Sequence, residues 1–177
     1  MKKGWISIAI AVLVVGVIIF MNQSNTGNRD TRPEAGFTAP DFTLLNEEGK
    51  EVTLSQLKGK PVFINFWASW CPPCKEEMPL IQEAYEKYGN QVVFLGVNLT
   101  FQDSREEAIS FMKSNGYEMP ILFDDNPDVK KTVAKLYRAE SIPTSFFIDK
   151  NGVIQVKKIG AMNYDEIESN INKIIGD

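Results

Sequence analysis

The stretch Val62-Phe63-Ile64-Asn65-Phe66-Trp67-Ala68-Ser69-Trp70-Cys71-Pro72-Pro73-Cys74-Lys75 contains the change of period that decides the fold. Its first six residues are almost all β-branched or aromatic, a run suited to a central strand buried on both faces. Pro72 and Pro73 lack N–H groups, which a helix tolerates in its first turn. A helical pattern then continues to about Tyr88 and stops at Gly89. Cys71 and Cys74 therefore fall at a strand-to-helix junction, in the first turn, where unpaired amides and the positive end of the helix dipole favour a thiolate. Cys71, at the tip, is expected to be the exposed nucleophile. Cys74, one turn in and more buried, is expected to resolve the mixed disulfide.

Outward from this junction the pattern is one of alternating elements. Phe42–Leu45 and Val52–Leu54 flank Glu47-Glu48-Gly49 as a hairpin, and Gln91–Val97 reads as a second buried strand. Ser104 with Glu107 opens a helix ending at Gly116, and Asn126-Pro127 opens another through about Tyr137. Ser145–Ile148 and Val153–Ile159 flank Asn151-Gly152 as a hairpin, and Asn163 with Glu166 caps a last helix to about Ile175. These elements predict an α/β fold with a mixed central sheet and helices on both faces.

Composition narrows the chemistry. The 177 residues fit one domain with an appendage, and they include two Cys and no His. The missing imidazole excludes Ser-His-Asp and Cys-His nucleophile pairs, and two thiols cannot fill a four-thiolate zinc site. A net charge of −4 without a basic run after the first residues gives no reason to expect nucleic acid as a partner. Besides redox chemistry, the cysteine pair admits two plainer readings. A purely structural disulfide closing so short a loop stabilises a fold by only about 2 kcal/mol. A two-thiolate metal half-site would need ligands from another chain. Redox chemistry is the favoured reading, and no metal and no cofactor are expected.

Residues 5–21, WISIAIAVLVVGVIIFM, follow Lys2 and Lys3 and are long enough to span a bilayer. The residues behind them, Asn22 to Gly27, form a poor cleavage site, so an uncleaved anchor is favoured over a cleaved leader. The basic pair should stay cytoplasmic, which places the remainder on the outer side of the cell membrane. The expected organisation is a single-pass transmembrane signal anchor (1–21), a flexible linker (22–36) and a catalytic domain (37–177).

The segment Phe66–Lys75 with Pro79 resembles the thioredoxin superfamily. Gly36-Phe37-Thr38-Ala39-Pro40-Asp41-Phe42, Leu57-Lys58-Gly59-Lys60-Pro61-Val62 and the anchor narrow the resemblance to TlpA/ResA-like membrane-anchored thiol-disulfide oxidoreductases. The resemblance implies a thioredoxin-like fold with an N-terminal β-hairpin extension and a redox-active Cys71–Cys74 disulfide. It also places a cis proline at Pro143, within Ile142-Pro143-Thr144, against that disulfide. Backbone groups of Ile142 would then hold a substrate strand, with Trp70 beside it. The central strand carries Asn65 where many cytosolic thioredoxins have an Asp. Glu77, one turn beyond Cys74, matches an acidic position of ResA-like members and is expected to assist deprotonation of Cys74; the alternative for it is a solvated surface carboxylate.

The implied activity is exchange of disulfides in exported proteins, in the reducing direction. Cytochrome c maturation and envelope or spore protein assembly are the implied settings. Electrons would come from a membrane carrier of CcdA/DsbD type, the bilayer would hold residues 5–21, and a monomer is expected. Two other functions compete. A thiol peroxidase of peroxiredoxin type needs a Thr three residues before its reactive Cys, where this chain has Ala68. A Cu(I) delivery module would use Cys71 and Cys74 as soft ligands but lacks the accompanying His.

Overall fold

The computed structural model describes residues 31–176. In chain order they form β1 (Thr43–Asn46), β2 (Glu51–Thr53), β3 (Val62–Trp67), α1 (Pro72–Tyr88), β4 (Val93–Asn98), α2 (Arg105–Ser114), β5 (Ile121–Phe123), α3 (Val133–Leu136), β6 (Thr144–Ile148), β7 (Ile154–Ile159) and α4 (Tyr164–Ile175). The proposed anchor lies outside the described residues. No helix among the described residues is long and apolar enough to cross a membrane.

One mixed sheet runs β2-β1-β5-β4-β3-β6-β7. β3 pairs in parallel with β4 and antiparallel with β6, which makes it the central strand that its apolar run implied. Alternate side chains of β3 go to opposite faces, as a pleat requires. Phe63 and Trp67 join Ile81, Phe147, Ile167 and Ile171 in the core under α1 and α4, while Val62, Ile64 and Phe66 join Leu95, Tyr137 and Phe146 on the other face. Room for the Trp67 indole comes from Gly96 on β4: a Cβ there would stand 2.7 Å from Met119 Cε and 3.2 Å from Trp67 Nε1.

Several boundaries differ from the sequence reading. β4 begins at Val93 because the amides of Gln91 and Val92 still donate to the Tyr88 carbonyl that ends α1. The helix expected from Asn126-Pro127 to Tyr137 is broken into a 3-10 turn, Val129–Lys131, and α3. The break is at Thr132, whose extended backbone (φ −66°, ψ 152°) caps the new helix, and the buried Asp124 carboxylate accepts from the amides of Val133 and Ala134. β5 went unread because three apolar residues carry no period. The capping box expected at Ser104 is half present, with Ser104 Oγ accepting from Glu107 N, whereas that of Asn163 and Glu166 is complete.

The end of the stretch read as a linker packs on the domain. Gly36 N donates to Ile154 O, and Glu34 pairs with Arg138. Thr38 then bridges Val153, so the chain enters the fold alongside β7.

Asp124 supplies two otherwise missing backbone partners from inside the core, so Asp124→Ala should lower stability by about 2 kcal/mol. Urea unfolding of the two proteins measures this, and an unchanged midpoint would refute it.

Candidate active site

Cys71 is the N-cap of α1, with non-helical backbone angles (φ −81°, ψ 111°), and Pro72 and Pro73 occupy the first two helical positions. Only the Cys74 amide is therefore left to donate at the tip of the first turn, and it points at Cys71 Sγ from 3.3 Å. Cys71 and Cys74 are joined as a disulfide, with Cα atoms 5.3 Å apart. The expectation that Cys71 would be the more exposed thiol does not hold in this oxidised state, since both residues are 2% exposed. The cause is the loop opposite: Ile142 O lies 3.8 Å from Cys71 Sγ, and the Ile142-Pro143 peptide bond is cis. The structure thus brings together Cys71, Cys74, Ile142 and Pro143 from positions about 70 residues apart in the chain.

Trp70 stands on the rim, 50% exposed, with its indole N–H donating to Gln102 O at 2.9 Å. Together with Ile142, Leu99 and Phe101 it lines an open groove of about 470 Å³ beside the disulfide. Trp67, by contrast, is wholly buried beneath the site.

Glu77 is not a solvated helix-surface carboxylate, because it is 1% exposed. Its Oε1 accepts from Met162 N at 3.2 Å and its Oε2 from Asn65 Nδ2 at 3.4 Å. Asn65 donates as well to Ser145 Oγ at 2.9 Å, so β3 and β6 each contribute one member of a buried polar row. Burial pushes the Glu77 carboxyl up to about 7; the bonds from Met162 and Asn65 and the charge of Lys158 offset part of that, and Glu166 adds to it. The carboxyl therefore exchanges its proton near neutrality, one turn from Cys74.

Sequence reasoning missed Ser145 and Asp103. Asp103 accepts from both the amide and the hydroxyl of Ser69, each at 2.7 Å, and so holds the loop before Cys71. A capping signal at Ser104 was visible in the sequence; nothing there showed that the neighbouring carboxylate reaches back 34 positions.

Among the described residues no group of three or more His, Cys, Asp or Glu is placed to hold a metal ion. Ala68, fully buried, presents no hydroxyl at the position where the peroxidase reading needs one.

The chain matches known proteins by family profile, by whole-chain sequence and by solved structure. The AhpC/TSA family profile matches residues 35–157. The chain is 32% identical to the thiol-disulfide oxidoreductase ResA of Bacillus cereus, over 98% of this chain and 99% of that one. It is 31% identical to the thioredoxin-like protein YneN of Bacillus subtilis, over 97% and 99% of the two chains. The crystal structure of StoA from Bacillus subtilis superposes with a TM-score of 0.62 at 31% identity, covering 74% of this chain and 96% of that one.

The position of Glu77 has a measurable consequence. A carboxyl whose folded pKa is raised gives stability that is full below its unfolded value of about 4.5 and is lost as pH rises through about 7. Relative to Glu77→Gln, the wild-type protein should therefore lose about 3 kcal/mol between pH 4.5 and pH 8. Urea midpoints of both proteins at the two pH values measure it; an equal gap at both would refute it.

Proposed function

We propose a reaction cycle and a cellular setting for this chain from the premise that it belongs to the AhpC/TSA family and is a thiol-disulfide oxidoreductase of the ResA type. Proteins that carry cysteines are its substrates. The observation that carries the cycle is the placement of the Cys71–Cys74 disulfide at a helix N-cap, against the Ile142 carbonyl and beside an open groove.

In the reduced protein the Cys71 thiolate attacks one sulfur of a substrate disulfide. A Cys71–substrate disulfide forms and the other substrate sulfur leaves as a thiolate. Cys74 then gives up its proton, with Glu77 as the nearby acceptor, and attacks Cys71 Sγ. This restores the internal disulfide and releases the second substrate sulfur; two electrons have passed to the substrate. The Ile142 N–H makes no hydrogen bond among the described residues, which leaves it open to a substrate backbone running past the sulfur.

The first helical turn supports the reducing direction. A dithiol becomes a strong oxidant when its nucleophilic thiolate is greatly stabilised. Here two of the first three amides are replaced by proline, and among the described residues a single N–H, that of Cys74, faces Cys71 Sγ. Weak stabilisation of the thiolate favours a reductant, supplied with electrons by a membrane carrier of CcdA/DsbD type. Residues 5–21 anchor the chain and Lys2 and Lys3 stay inside, so the domain acts outside the cell membrane on substrates such as apocytochrome c or envelope and spore proteins.

Cys71→Ala should abolish insulin-disulfide reduction, and Cys74→Ala should accumulate a mixed disulfide visible on a non-reducing gel. Full turnover by either variant would sink the mechanism. Glu77→Gln should shift the pH profile of Cys74 alkylation, and an unaltered profile would remove Glu77 from the cycle. A membrane-impermeant maleimide should label Cys71 in intact, reductant-treated cells; labelling only after lysis would place the domain on the inner side.

A further inference from the structure

We propose that Asp103 is a positioning residue for substrate docking: by gripping Ser69 it fixes Trp70 as a rigid wall of the groove beside the Cys71–Cys74 disulfide. The inference rests on the reading of that disulfide as the reacting centre and adds to it the element that orders the rim.

Each oxygen of the Asp103 carboxylate takes two donors. Oδ2 accepts from Ser69 N at 2.7 Å and Asn98 Nδ2 at 2.8 Å, while Oδ1 accepts from Ser69 Oγ at 2.7 Å and Ser104 N at 3.0 Å. Two of the four donors belong to the loop that ends at Cys71. The other two are anchors, since Asn98 is the fully buried last residue of β4 and Ser104 is the N-cap of α2. The preceding residue adds a second hold, its carbonyl accepting the Trp70 indole N–H at 2.9 Å. Consecutive residues 102 and 103 thus grip consecutive residues 70 and 69.

A half-exposed indole would otherwise sample several orientations, and binding a partner against it would cost the entropy of selecting one. Here the selection is made before the partner arrives. Burial alone would push the Asp103 carboxyl up, but the bonds from Ser69, Asn98 and Ser104 outweigh it and hold the group below its ordinary value. It therefore remains a charged acceptor, the stronger kind for all four bonds. Trp70, Gln102 and Ile142 all line the groove, so loosening Ser69 should change the shape offered to a polypeptide. A small disulfide that touches only sulfur should not register it.

The test uses the full-length reduced chain in detergent, with insulin as the large disulfide and hydroxyethyl disulfide as the small one. Asp103→Ala should raise KM for insulin about fivefold with kcat and the hydroxyethyl disulfide rate changed by less than about twofold. Asp103→Asn, which keeps one acceptor oxygen, and Ser69→Ala, which removes only the hydroxyl bond, should give smaller rises in the same direction. If Asp103→Ala does not fold by circular dichroism, these two variants decide by the same criterion. Insulin KM unchanged in every folded variant would overturn the proposal, as would an equal fall in the small-disulfide rate, which would place the effect on Cys71 itself. Failure of the wild-type protein to reduce either disulfide would overturn the reading of the disulfide and the proposal with it.

Discussion

The bond from the Cys74 amide to Cys71 Sγ fixes where that sulfur stands at the helix tip. That contact exists because β3 delivers the chain to the helix tip without slack. Six residues buried on both faces lead into a short loop pinned by Asp103, and α1 begins at Pro72. The core under α1 resists any shift of the helix, since Met78, Ile81 and Ala84 pack on Phe63, Phe147, Ile167 and Ile171. A displacement of the helix start would both break this packing and remove the Cys74 N–H aimed at the sulfur.

Burial of a carboxylate beside this junction is energetically expensive unless it is paired or neutral. Among the described residues Glu77 has no bonded cation; its direct partners are the Met162 amide and the Asn65 side chain, and Lys158 acts on it only through its charge. The fold keeps this group near the point of half-protonation, where it gives or takes a proton with little bias. An aliphatic side chain in the same place would pack at lower cost.

The junction, the central strand, the last helix and the second hairpin were readable because each carries a local signal: a β-branched run, a Pro-Pro turn, a complete capping box and an Asn-Gly turn. The interrupted helix and β5 were not. Thr132 breaks a helix only because Asp124, eight residues earlier, captures the amides beyond it. β5 holds three residues and owes its identity to pairing with β4 and β1 rather than to any pattern of its own. The sequence and its resemblance named the cysteines, Ile142, Pro143, Trp70 and Glu77 as candidate site residues, whereas Asp103 and Ser145 were not named. Their roles come from bonds spanning 34 and 80 positions, and a polar side chain facing such a partner looks in sequence like any loop or strand residue.

The sequence by itself determined that two thiols sit at a strand-to-helix junction with two prolines between them, because hydrophobic period and proline geometry act over a few residues. Only the tertiary structure decided that Cys71 is covered when oxidised, that Glu77 is inside the protein, and that Asp103 grips the loop before the disulfide. Those properties depend on which surfaces meet across the sheet, and burial and long-range hydrogen bonds are set by packing between segments that the chain order keeps apart.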